Sequence, residues 1–121
     1  MHSRRMAALF LIVPLALGLA ACGKSKKASA SSSAISVEAA DFMFTPATLS
    51  VKAGQKVTVT VKNAGTVPHN FSISSLNVNQ DLTVGKSYTV TFTAPSATGD
   101  VQFFCEYHKD SKNMVGTLHV T

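Results

Sequence analysis

From Ile35 to the C-terminus, large apolar side chains alternate with small polar ones. The stretches VTVTV (Val57 to Val61), HNFSIS (His69 to Ser74), SYTVTF (Ser87 to Phe92) and GTLHVT (Gly116 to Thr121) repeat with a period of two. That is the pattern of strands that bury one face. Turn-forming residues separate them at KAGQ (52–55), KNAGTVP (62–68), TVGKS (83–87) and APSATGD (94–100), and no segment has helical spacing. Short strands at regular intervals over residues 35–121 predict an all-β fold, a sandwich or small barrel. A domain of this size buries a core without disulfides, by a modest margin.

The same alternation assigns side chains to faces. His69, Phe71 and Ile73 share one face, and as the large residues of their strand they point inward. Val101, Phe103 and Cys105 share a face, which puts Cys105 at the inward end of a strand. Phe104 has the opposite parity and is expected to face outward. Leu118 and Val120 point inward, so His119 faces water.

The first 34 residues break this pattern. MHSRRM supplies positive charge, and the apolar run Ala7 to Ala20, 14 residues long, has the length of a signal-peptide core. A membrane-spanning helix needs about 20 apolar residues. The run ends in LAAC (Leu19 to Cys22), which resembles the lipobox of bacterial lipoproteins; the resemblance implies cleavage before Cys22 and lipidation of its sulfur. SRR (Ser3 to Arg5) weakly resembles a twin-arginine signal, against a generic positive region as the alternative. GKSKKASASSSA (Gly23 to Ala34) is small, polar and of low complexity, and reads as a flexible tether with a root-mean-square span of about 20 Å. The expected organisation is a lipoprotein signal at 1–21, lipidated Cys22 and tether at 22–34, and a folded domain at 35–121, exported and lipid-anchored on the outer side of a bacterial membrane.

Charge narrows the partners. The net charge of +5 comes from the signal and tether, which carry Arg4, Arg5, Lys24, Lys26 and Lys27. Residues 35–121 hold six cations and six anions. A neutral domain excludes nucleic acid as a partner, and the tether lysines suit anionic lipid headgroups.

With Cys22 lipidated, Cys105 is the remaining thiol of an exported chain and has no disulfide partner. In FFCEYHKDSKNM (103–114) it stands with His108 and Met114 within ten residues. Together with inward-facing His69, these residues supply the ligand types of a type 1 copper site: two imidazoles and a thiolate in a plane, and a weak axial thioether. Thiolate and thioether suit Cu(I), and imidazole suits both oxidation states. Structural zinc competes for Cys and His, but there are no CxxC pairs. A Cys–His nucleophile competes too, though it requires a third orienting group and a cleft.

Here a family resemblance enters. DFMFTPATLSVKAGQKVTVTVKNAGTVPHNFSI is similar to the N-terminal half of the cupredoxins, within them the plastocyanin and pseudoazurin group, and FFCEYHKDSKNMVGTLHV to their ligand loop and last strand. The resemblance implies a Greek-key β-sandwich of seven to eight strands with one copper ion, Cu(I)/Cu(II), at one end. His69 follows Pro68 as in the family's PHN, Cys105 and His108 keep its Cys-x-x-His spacing, and Met114 precedes Val-Gly as its axial methionine does. By the same match Asn70 brings its backbone N–H near the Cys105 sulfur and its side chain across the loop. NFS (70–72) also fits a glycosylation sequon, read as chance beside a metal in a bacterial protein.

Two departures stand out. The family usually has a small hydroxyl residue after the cysteine, where this chain has Glu106. Five residues separate His108 from Met114, one more than in plastocyanin, with Met43 the remote alternative for axial thioether. The resemblance further implies that the His108 ring edge is the electron port, within a patch for which Val67, Pro68, Met43 and Val115 are candidates and beside which Phe104 serves docking. The expected function is that of a monomeric, non-enzymatic blue copper carrier, passing electrons between membrane-bound or exported redox proteins. Copper sequestration or delivery is the alternative. A multicopper oxidase is disfavoured, because four histidines cannot build its extra copper centres.

Overall fold

A computed structural model describes residues 32–121. The export signal, Cys22 and nearly all of the tether lie outside the described residues. Nine strands follow in order: β1 (Ser33–Ala40), β2 (Met43–Thr45), β3 (Thr48–Val51), β4 (Lys56–Asn63), β5 (His69–Ile73), β6 (Val78–Leu82), β7 (Ser87–Thr93), β8 (Gly99–Phe104) and β9 (Val115–Val120). A 3-10 turn covers Ser74–Leu76, and a single helical turn, α1, covers Lys109–Lys112.

The strands form two sheets, ordered β2-β1-β4-β7 and β3-β9-β8-β5-β6. β1 runs parallel to β4 and β3 parallel to β9, while the other pairs are antiparallel. Both parallel pairings join strands distant in sequence, so the chain crosses between sheets and closes the all-β sandwich. Val37, Val57, Val59, Val61 and Phe92 from one sheet meet Leu49, Phe71, Ile73, Phe103, Leu118 and Val120 from the other. Phe71, Ile73, Phe103, Leu118 and Val120 are buried as alternation assigned them, whereas Val101 is only partly buried against the core.

The all-β sandwich expected from the sequence is present, with nine strands among the described residues, of which β2 and β3, three and four residues long, are the shortest. Two expectations are corrected. The first strand begins at Ser33, within the stretch read as tether: Ser33 pairs with Val57, and its hydroxyl donates to Gln55 Oε1 at 3.0 Å. A helical turn is present despite the lack of helical spacing, and at four residues it completes barely one turn.

One cluster prepares the site. Phe44, Phe71 and Phe103 pack with ring centroids 5.1–5.9 Å apart. Phe71 lies two residues after His69 and Phe103 two before Cys105, on the same faces. Aromatic packing therefore fixes the two strand ends that carry the polar groups.

Candidate metal centre

β5 begins at His69, directly after Pro68, and β8 ends at Phe104, directly before Cys105. Both His69 and Cys105 are fully buried, and His108 is half-buried. Their ligand atoms lie within 4.8 Å of one another. His69 Nδ1 is 3.2 Å from His108 Nδ1, and Cys105 Sγ is 3.4 Å from His108 Nδ1 and 4.0 Å from His69 Nδ1.

The donor set fits one metal ion. With metal–nitrogen bonds of about 2.0–2.1 Å and metal–sulfur bonds of about 2.3 Å, donors around a single ion lie about 3–4 Å apart. A thiol and two imidazoles in this arrangement are the strong ligands that copper takes in electron-transfer sites. Burial lowers the His108 pKa, the neighbouring His69 lowers it further, and Asp41 opposes the shift. The shift favours the neutral imidazole, which has a lone pair to offer a metal.

The ligand loop is built on backbone hydrogen bonds. Cys105 O accepts from His108 N and Lys109 N at 3.2 and 2.9 Å, and His108 O accepts from Lys112 N and Met114 N at 2.9 and 3.3 Å. α1 thus winds up the residues between the two ligands. Asn113, at φ 52°, then reverses the chain in the left-handed region that asparagine tolerates. Cys105 N donates to Met114 O at 3.0 Å and closes the loop at its base. Met114 is fully buried in the same apolar cluster as Cys105. Met43 is 58% exposed and stands apart from that cluster.

Asn70 is fully buried and ties the site together. Its N–H donates to Cys105 Sγ at 3.3 Å. Its Oδ1 accepts from Glu106 N at 3.4 Å and from the Ser72 hydroxyl. Its Nδ2 donates to Asn79 Oδ1 at 2.8 Å and Asp81 Oδ1 at 3.1 Å. Glu106 contributes its backbone while its side chain is exposed. A hydroxyl reaches the Asn70 side chain from Ser72, on β5 itself.

Phe104 does not form an open docking face. It lies on the outer face as its parity requires, yet it is only 7% exposed. Its β5 partner is Ser72, and Lys109 Nζ sits 4.6 Å from its ring centroid, so the ligand loop folds back over it. The Phe42 ring packs edge-on against His108 at 4.9 Å; of the residues expected to form the patch, Val67 and Val115 are half-buried, and Pro68 and Met43 are exposed. His119 faces solvent and pairs with Asp100 at 2.6 Å, as the alternation assigned it.

Two residues near the ligands escaped the sequence reading. His69 Nε2 lies 3.0 Å from Asp41 Oδ1, and the Tyr107 hydroxyl donates to Asp81 Oδ1. Hydrogen bonds from the Thr66 hydroxyl, then from its N–H, hold the Asp41 pKa down to about 2, with a smaller contribution from His69. Asp41 belongs to no ligand motif, and nothing in the local period brings position 41 to position 69; Tyr107 lies inside the ligand loop, but its partner Asp81 is 26 positions away.

The family model described as a cupredoxin-like domain matches residues 10–120. The chain is 34% identical over 122 residues to chloroplastic plastocyanin of Tetradesmus obliquus, covering 89% of this chain and 80% of that protein. Its fold matches dithionite-reduced auracyanin from Roseiflexus castenholzii with a TM-score of 0.64 and 25% identity, over 75% of this chain and 99% of auracyanin. Auracyanin A, a "blue" copper protein from Chloroflexus aurantiacus, matches with a TM-score of 0.63 and 22% identity, over 75% and 100% of the two chains. The chain belongs to the cupredoxin-like domain family, and His69, Cys105, His108 and Met114 are arranged to bind one copper ion.

Proposed function

We propose that this protein is a type 1 copper electron carrier of the bacterial cell envelope, held to the extracytoplasmic side of a membrane by lipidated Cys22 and the tether after it. The observation that carries the electron-transfer reading is the convergence of two imidazole nitrogens and one thiol within 4.8 Å, in a site with buried His69 and Cys105. Bound copper would supply a one-electron Cu(I)/Cu(II) couple.

The chain's residues do the rest. His69, Cys105 and His108 would hold the copper as its strong ligands, with the Met114 thioether as a weaker one. The sandwich holds His69 and Cys105 on strand ends that the phenylalanine cluster fixes, so the ligands move little when the charge changes. Asn70 directs its N–H at the sulfur, which stabilises thiolate charge. His108 is the one strong ligand that reaches the surface, and its ring, flanked by Phe42, is the electron's path to a docked redox protein. Brief encounters at such a patch suit the small interfaces of electron-transfer complexes.

Loading the protein with Cu(II) and recording its visible absorption and paramagnetic resonance tests the reading. A strong thiolate-to-copper charge-transfer band that bleaches on reduction and returns on oxidation is expected. A copper-loaded protein without that band overturns the reading. If copper passes to an acceptor faster than electrons exchange, delivery is the function instead.

A further inference from the structure

We propose that Asp41 is a positioning residue for His69, holding the ring with Nδ1 free for the metal and lowering the reduction potential of the copper bound there. The inference deepens the electron-carrier reading and rests on it. Asp41 accepts the hydrogen bond at 3.0 Å from His69 Nε2. An ionised carboxylate only accepts, so Nε2 carries the proton and Nδ1 the lone pair. Nδ1 is the nitrogen that lies 3.2 Å from His108 Nδ1 and 4.0 Å from Cys105 Sγ.

The surroundings are shaped for this carboxylate. Both Asp41 oxygens accept from Thr66 N, at 2.9 and 3.0 Å, and Oδ2 also accepts from the Thr66 hydroxyl. Asn63, fully buried, holds the same loop by accepting from Gly65 N and donating to Val67 O, both at 2.9 Å. Gly65 leaves the required space: a Cβ there would clash with Asp41 Oδ1 and lie 2.8 Å from His69 Nε2. On the other side of Asp41, Phe42 has φ 90°, uncommon for a bulky residue, and its ring meets both histidines. The β1–β2 turn therefore delivers a carboxylate to one ligand and an aromatic edge to the other.

The consequence is electrostatic. Asp41 is 29% exposed at its side chain, whereas its partner imidazole is fully buried. A carboxylate bonded to the far nitrogen makes the imidazole a stronger donor and favours the more highly charged metal state. Cu(II) gains more than Cu(I), and the potential falls.

The test compares the full chain with Asp41→Asn, Asp41→Ala, Gly65→Ala and Asp100→Asn. Asp41→Asn keeps an oxygen for the His69 hydrogen bond but removes the charge. We expect its ratio of Cu(II) to Cu(I) affinity to drop about tenfold, which raises a one-electron potential by about 59 mV. Gly65→Ala, whose methyl would displace the carboxylate and crowd His69 Nε2, should shift the potential the same way. Asp100→Asn removes an equal charge from the His119 pair at the opposite end of β8 and should leave the potential unchanged. In the copper-free protein, nitrogen magnetic resonance should find His69 in the Nε2-protonated form, and in a tautomer mixture in Asp41→Ala. A potential in Asp41→Asn equal to that of Asp100→Asn, or an unchanged His69 tautomer in Asp41→Ala, overturns the proposal. Failure of the unaltered protein to form a blue copper site instead removes the reading beneath it.

Discussion

A buried thiol facing two imidazole nitrogens at 3.4 and 4.0 Å is not replaceable by a hydroxyl of nearly the same shape. Serine oxygen is a hard, weakly acidic donor, and the visible charge transfer of a blue site originates on sulfur. Cys105→Ser should therefore lose the band completely. His119→Ala should keep it, because that ring is exposed and bonded to Asp100, away from the ligands. Visible absorption of the two copper-loaded variants checks both expectations, and a band surviving in Cys105→Ser would exclude this thiol as the ligand. At this scale the sequence was informative in a specific way: parity put His69 and Cys105 inward and His119 outward. It was silent on Asp41 and Tyr107, whose contacts span 28 and 26 positions along the chain.

Between elements, β9 depends on β8 through a close approach at Gly116. Gly116 pairs with Phe103, and a Cβ at position 116 would clash with the Phe103 ring and come within 2.8 Å of Ala47 O. The ring cannot retreat, since Phe44 and Phe71 pack against it. Gly116→Ala should cost about 1–3 kcal/mol, the range for overpacking a filled core. Chemical denaturation of the copper-free protein measures it, and a loss below about 0.5 kcal/mol would mean that the cluster has slack. Phe104 shows the limit of period-two reasoning at this scale. Alternation states the side of the sheet on which a residue sits; whether a loop then covers that side depends on the path of the chain after Cys105.

For the whole molecule, acid tolerance should depend in part on the network that joins β5, β6 and the ligand loop. The Tyr107 hydroxyl, followed by the Asn70 amide, lowers the Asp81 pKa from 3.8. A carboxyl with a depressed folded pKa contributes stability that is present above 3.8 and lost as pH falls through the folded value, because the unfolded chain takes up its proton first. Asp81→Asn should thus flatten the acid limb of a stability–pH curve below about pH 4 and change little near neutrality. The effect is modest, since Asp81 and Tyr107 are exposed to solvent. Thermal unfolding across that range checks it, and parallel curves for the two proteins would remove Asp81 from the account.

The β class, most inward faces and the ligand types are legible in the amino-acid order alone, because alternation and residue chemistry are local properties. Spacing also tied Cys105, His108 and Met114 to one loop. The packed chain adds that α1 winds up the loop between His108 and Met114, that Ser72 bonds to the Asn70 side chain, and that Phe104 is covered. It alone brought Asp41 to His69, through a β1–β2 turn and a glycine whose missing side chain leaves room for the carboxylate. Those outcomes depend on which distant backbones approach each other, and a periodic pattern carries no record of such approaches.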